Sequence, residues 1–374
     1  MPANAFVTRF RAWRTRIAPY QGAVFFALGF LFDARVMKRI DEPKLLIQQG
    51  AYLVFSGALI AWTQRSELTG WQPPRVLRKP WKYAEELIHF MLGTLLNAYT
   101  IFYFRSASGV TAIGFLAVIA ALLAINELPR FRALGPVVSY ALYSVCLTSY
   151  LAYLFPVLLG HLRPWMFYAA ILVALVPVGV HVRALLRWSG SLRHAIKTAA
   201  APAGGVQLAF LLLYALRVTP PVPLAVEEMG IYHGVKREAD GWHLSRLKGL
   251  SPFWQKIRPE FLERAGDRVY CFARIAAPSR FHDRIDMVWF HDQPDQGWTE
   301  FYRLPLSVTR AARGTARGFA TDGYLTHPPV GRWRVEIQSE DRRTMGLLRF
   351  TVEEDESSAP RELEEEVDSS VPAA

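Results

Sequence analysis

Glu86, His89, Asn97, Asn126 and Glu127 are polar or ionisable side chains within, or at the ends of, long apolar stretches. A charge at a bilayer centre costs about 2.5 to 3.5 kcal/mol on insertion scales, so such a set is a candidate for function. With His89 and Glu127 as partners, two adjacent helices could pass a proton or hold an ion. The plainer alternative keeps Glu86, His89, Asn126 and Glu127 at helix ends, in reach of headgroups and water, with the deeper Asn97 bonding across helices.

Asp33, Arg35, Arg105 and His161 form a second candidate set on the opposite side, either lining a small pocket or snorkelling to the interface. Tyr140, Tyr143, Tyr150 and Tyr153 share one apolar stretch with Ser139, Ser144, Thr148 and Ser149. Tyr143 and Tyr150 stand one heptad apart and share a helix face. They either line a lipid cavity or pack helix against helix. Trp242, Trp254 and Trp298 are candidate contact anchors for a partner.

His233, His243, His282, His291 and His327 fall in the C-terminal third, with Asp283 and Asp292 following two of them. No H-E-x-x-H or other ligand spacing joins them, so no metal site and no cofactor is expected. Cys146 lies in an apolar stretch and Cys271 on an inward strand face, which argues against a disulfide between them. The chain lacks G-x-S-x-G, a P-loop, a dinucleotide glycine fingerprint and C-x-x-C. Those absences lower the common hydrolase, nucleotide-dependent and redox classes and lean the chain away from an enzyme.

The elements that must position these residues follow from charge patterning. Seven stretches free of Asp, Glu, Lys and Arg cover residues 17–32, 45–64, 87–104, 106–126, 133–162, 164–182 and 198–216. A helix needs roughly 17 to 25 residues to cross the hydrocarbon, so about seven transmembrane helices are expected. The first stretch is the shortest and holds Pro19; "LGFLFDARV" lacks a small-x-small cleavage pattern, so it is expected to be retained. The mean hydropathy of +0.13 and the 20% charged residues describe two unlike halves. The 35 arginines against 8 lysines hint at a GC-rich bacterial genome.

With the N-terminus in the cytoplasm, short inside loops carry 15 basic residues against 7 on the other side. This is the positive-inside bias, so the net charge of +11 calls for no nucleic acid. An odd number of crossings then delivers the C-terminal part to the periplasm of a bacterial inner membrane. Failure of the first stretch to cross would reverse that side. "TPPVPLA" ends the last helix as a stiff connector.

Beyond the prolines the pattern switches to period-two alternation, the strand signature. Val269, Cys271, Ala273 and Ile275 fall on one face, as do Ile285, Met287 and Trp289, and Trp333, Val335 and Ile337. Asp240-Gly241 and "DQPDQG" supply turns. An antiparallel, immunoglobulin-like sandwich is expected. "SPFWQKIRPEFLER" reads as a short amphipathic helix or a loop, packed on the sandwich or on the membrane surface. The last residues carry nine acids and one arginine, a composition expected to stay disordered.

The expected organisation is a basic cytoplasmic N-terminus (1–16), a transmembrane domain (17–218), a proline-rich connector (219–226), a periplasmic β-sandwich (227–352) and a disordered acidic tail (353–374). "PPVPLAVEEMGIYH", "DMVWFH" and "GRWRVEIQSEDRRTMGLLRFTV" resemble the bacterial family catalogued as domain of unknown function 2914. "GFLFDARVMKRID", "FYFRSAS" and "NELP" are similar to the multi-pass regions preceding that domain in some members. The resemblance implies this architecture and carries no catalytic residues.

Beyond the bilayer itself, the expected partner is an envelope protein, glycan or lipid bound by the β-domain. The alternative is a membrane enzyme or transporter acting on a lipid-linked or small substrate through the polar bundle residues. A third is a transmembrane sensor lacking its own output domain.

Overall fold

The computed structural model describes residues 42–107, 114, 117, 135–248, 260–278, 280–306, 319–357 and 359–369. Among them are five helices long and apolar enough to cross a membrane: α1 (Pro43–Thr69), α2 (Ala84–Ser106), α3 (Pro136–Leu159), α4 (Pro164–Ser189) and α5 (Leu192–Ala215). Proline opens α1, α3 and α4, where its missing N–H costs nothing. A π-helical turn, Ile196–Ala200, lies within α5. Five of the seven expected stretches coincide with these helices. The stretch at 17–32 lies outside the described residues, as does 106–126 apart from Ser106 and Ala107 at the end of α2 and Gly114 and Ala117, which are helical.

The two central helices are α2 and α3, 78% and 67% buried along their most apolar windows, against 28% for the other three. Tyr150 donates to the Leu46 carbonyl, and Tyr153 to the Gln49 side chain. A Cβ at Gly50 would lie 2.9 Å from the Tyr150 hydroxyl oxygen, and one at Gly57 would lie 2.7 Å from that of Tyr143. These pairings run in opposite directions, so α1 is antiparallel to α3. In contrast, α2 runs parallel to α3, since Leu92 meets Cys146 while Phe102 meets Tyr153. The start of α1, the ends of α2, α3 and α5, and the start of α4 therefore gather at one end of the bundle.

The C-terminal region is rich in β-sheet. Its strands are β1 (Ala225–Tyr232), β2 (Gly234–Glu238), β3 (Gly241–Leu247), β4 (Glu260–Glu263), β5 (Arg268–Ala276), β6 (Ile285–Gln293), β7 (Gly297–Leu306), β8 (Phe319–Thr326), β9 (Gly331–Ser339), β10 (Thr344–Glu354) and β11 (Leu363–Asp368). Among the described residues they form sheets of order β1-β5-β8, β4-β10-β9-β6-β7 and β11-β3-β2, with β4 parallel to β10. The first two sheets share one core, in which Val269, Cys271, Ala273 and Ile275 of β5 meet Met287, Trp289, Trp333, Val335 and Ile337. The alternation read from the sequence is the inward face of these strands. Asp240-Gly241 and "DQPDQG" lie at the expected hairpins. The other face of β5 packs Phe272 against Tyr232, Trp242 and Leu244, joining the small third sheet.

Several boundaries and assignments need correction. The first strand begins at Ala225, inside the expected connector, and β10 runs on to Glu354. The connector is buried from Thr219 to Ala225 rather than extended through solvent. Glu260–Glu263 of "SPFWQKIRPEFLER" is a strand, because its backbone finds the open edge of β10. The acidic tail, expected to be disordered, forms β11 over Leu363–Asp368, antiparallel to β3. Its acids meet cations on strands distant in sequence, a compensation that local composition does not record.

Candidate functional site

The expected intramembrane set is only partly assembled among the described residues. Glu86 is exposed in the first turn of α2, a position where a carboxylate favours the helix dipole. His89 and Asn97 lie further along the same helix and are buried in the bundle. Asn126 and Glu127 lie outside the described residues. Of the opposite set, Arg105 and His161 stand at the same end of the bundle; Asp33 and Arg35 lie outside the described residues. The His161 Nδ1 is 3.0 Å from the Leu159 carbonyl, and its ring lies 5.9 Å from that of His282.

Of the three tryptophans, Trp254 lies outside the described residues. Trp242 is a correction: it is 6% exposed, sealed against Phe272 in the small core, and offers no contact surface. Trp298 is half-buried, with the Arg334 guanidinium 5.0 Å from its ring centroid. The tyrosines pack helix to helix. Tyr140 and Tyr143 flank His181 at 5.6 and 5.9 Å, and Tyr103 donates to Ser149 across α2 and α3 at 3.4 Å.

Sequence reasoning passed over a polar network centred on Gln207. Its amide donates to the Ser144 and Thr148 hydroxyls at 2.8 and 2.7 Å, binding α5 to α3 inside the bundle. Gln207 was visible as the lone amide of its charge-free stretch, and Gln49 as one of three glutamines in another, which is the signal that could have found them. Buried amides of this kind hold helices together where water is absent.

The junction between bundle and β-region is a second missed site. Arg343, in the turn between β9 and β10, is 7% exposed. It donates to the Thr219 carbonyl at 3.0 Å, to the Tyr214 carbonyl at 3.1 Å and to Asp341 at 2.6 Å. Its guanidinium carbon sits 3.5 Å from the Tyr214 ring centroid, and Tyr214 in turn stacks on Phe167. On the loop between α3 and α4, Arg163 pairs with Asp283 at 3.3 Å and with Glu340. The Leu162 amide donates to Asp283 at 2.9 Å, and the His282 amide to the Gly160 carbonyl at 2.8 Å. A planar guanidinium forking onto several acceptors suits such a joint better than a lysine would.

The third site is the outer edge of β3, covered by β11. His243 is hydrogen-bonded through Nε2 to Asp240 at 2.9 Å and through Nδ1 to Glu365 at 3.0 Å, with Glu238 3.8 Å from Nε2. The Asp240 hydrogen bond, aided by Glu365 and Glu238, raises the His243 pKa, and the same bond lowers that of Asp240. Glu238, Asp240 and His243 each bring one donor atom within 4.8 Å of the others, the group among the described residues that could hold a metal ion. His233 behaves oppositely: stacked 4.2 Å from Phe261, it has its pKa lowered by burial.

Residues 282–352 match the model of the family described as "Protein of unknown function (DUF2914)". The C-terminal region of this chain is thus similar to a DUF2914 domain over those residues. The matched segment runs from the start of the junction through most of β10 and includes Asp283, Glu340, Asp341 and Arg343. No curated protein matches the chain. A solved structure, Pseudomonas fluorescens alkylpurine DNA glycosylase AlkC bound to DNA containing an abasic site analog, is similar at 10% identity. That match covers 85% of this chain and 99% of the other with a TM-score of 0.19, too slight a likeness to carry any argument.

Proposed function

We propose that this chain is a bacterial inner-membrane protein whose helices, about seven in all, hold an immunoglobulin-like domain at the periplasmic face, where it binds an envelope partner. The observation that carries this is the pairing of the β-region with the less basic end of the bundle. Among the described residues that end holds Lys44, Arg105, Arg163 and Arg217. Arg65, Arg75, Arg78, Lys79, Lys82, Arg183, Arg187, Arg193 and Lys197 belong to the far end. By the positive-inside rule the far end faces the cytoplasm. Parallel α2 and α3 need a return crossing between them, which supports the expected span at 106–126.

The immunoglobulin-like reading is supported by strand order. With β5, β6, β8, β9 and β10 taken as strands B, C, E, F and G, the sheets contain B-E and G-F-C neighbours, and Trp289 on strand C is fully buried. Paired alkaline phosphatase and fluorescent-protein fusions after Arg217 and after Ala374 test the placement. Active phosphatase and dark fluorescent protein at both sites are expected; the reverse pattern overturns it. Crosslinking of the full chain in envelope membranes tests partner binding, and the absence of any reproducible adduct counts against it.

A second reading, a membrane enzyme or transporter, is favoured by Gln207, Ser144 and Thr148 in the bundle interior with His89 and Asn97 buried on α2. Alanine at Glu86, His89, Asn97 and Glu127 would then abolish complementation of a deletion strain at normal expression. Full complementation sinks it.

A further inference from the structure

We propose that the outer edge of β3 is a docking site for an extended acidic segment of a partner protein, and that β11 occupies it as a tethered competitor. This deepens the partner-binding reading by naming the partner's chemistry, and it does not rest on which side of the membrane the domain faces.

β11 pairs with β3 over its whole length, from Leu363 opposite Leu247 to Asp368 opposite Trp242. Yet it buries almost nothing. Positions 363 to 367 are all exposed, Leu363 at 51% and Val367 at 47%. The small core beneath consists of Tyr232, Trp242, Leu244 and Phe272, without a residue of β11. The strand is therefore held by main-chain hydrogen bonds and by charge.

The charges are matched on both faces of the edge. Arg246 lies 3.5 Å from Glu364 and 3.5 Å from Glu366, and Arg274 lies 2.9 Å from Asp368. On the other face His243 meets Glu365 at 3.0 Å, and just beyond the paired strands Lys248 meets Glu362 at 3.1 Å. The pairs made by the exposed glutamates contribute little each, and the part-buried Arg274–Asp368 pair stands at one end only, so most of the strand is weakly held, and its recognised features belong to any extended acidic segment. The edge is also shaped for a passing backbone. Gly241 opens β3 with φ +145°, and a Cβ there would lie 2.5 Å from the Asp368 carbonyl oxygen. Main-chain pairing along an open edge, with side chains setting specificity, is the β-augmentation mode of peptide capture.

The test uses the full chain in detergent, a version ending at Arg361, and a labelled peptide of residues 362–369, ELEEEVDS. The shortened chain is expected to bind the peptide at least about tenfold more tightly than the intact one, whose tail competes at an effective concentration on the order of 1 mM. Arg246→Ala in the shortened chain should weaken binding, and a peptide with Gln and Asn replacing the acids should not bind. Equal binding to both chains, equal binding of the neutral peptide, or no binding by a shortened chain whose circular dichroism is native overturns the proposal. Dimers lost on shortening would also overturn it, because they make a second copy the occupant. Reporter fusions and envelope crosslinking read the broader placement and binding independently of this outcome.

Discussion

The hydroxyl of Tyr143 stands directly over Gly57, so near that a Cβ on residue 57 would lie 2.7 Å from its oxygen. The contact repeats one heptad away, where Tyr150 stands over Gly50, and it sets the approach of α1 to α3. Gly57→Val should cost about 1–3 kcal/mol by overpacking, seen as a lower melting temperature in detergent. Combining it with Tyr143→Leu should restore part of the loss. A Gly57→Val protein as stable as the parent would mean the helices do not meet there.

Arg343 and Arg163 both cross the junction, but burial separates their effects. Arg343→Met strands the Asp341 carboxylate and the carbonyls of Thr219 and Tyr214, and loss of one partner of a buried pair costs about 3–5 kcal/mol. Arg163 is 40% exposed, and its buried partner Asp283 keeps the Leu162 and Arg284 amides as donors, so Arg163→Ala should cost about 1 kcal/mol. Limited proteolysis of the connector at 216–224 reports the difference as a faster cut in Arg343→Met alone. Cutting at the parent's rate in both variants would show that neither residue holds the joint.

Docking of β11 should depend on pH through His243. Asp240, Glu365 and Glu238 face its ring, and Lys236 stands opposite it on β2. Asp240 contributes most to the raised His243 pKa and stays beside the ring whether or not β11 is docked, while the Glu365 hydrogen bond adds the share that comes with docking. Its contribution is therefore fully present below the ordinary histidine value and is lost as pH rises through the raised one. Hydrogen exchange at 363–368, corrected for intrinsic rates, should show protection falling across that window, and His243→Gln should flatten the dependence. Protection that instead rises with pH contradicts the assignment.

Cys146 and Cys271 are both free and fully buried. Burial also pushes the Cys271 thiol up, away from the reactive thiolate. Neither should take up a maleimide in the native protein, and both should react in denaturant. Native labelling of Cys271 would mean that the core between the two large sheets opens.

The inward face of β5 was legible because Val269, Cys271, Ala273 and Ile275 alternate within one strand, and the five described helices because charge-free length is a local property. What stayed hidden depends on residues far apart in sequence. Arg343 sits in "SEDRRTMG", which reads as a polar turn; its meaning comes from the Tyr214 ring, 129 positions earlier. The tail looked disordered because a composition window counts nine acids without seeing Arg246, Arg274 and His243. Trp242 looked like a surface anchor because alternation does not reveal that a third sheet covers the far side of β5.

On the proposed partner-binding reading, the buried connector fixes how the β-domain would meet its partner. A domain on a flexible linker sweeps a volume set by linker length, whereas one pinned at Thr219, Tyr214 and Gly160 is presented at a fixed height and heading. Its capture radius is then close to its own size. Anything it recognises must be delivered to the membrane surface, and two such proteins meet it in the same orientation every time.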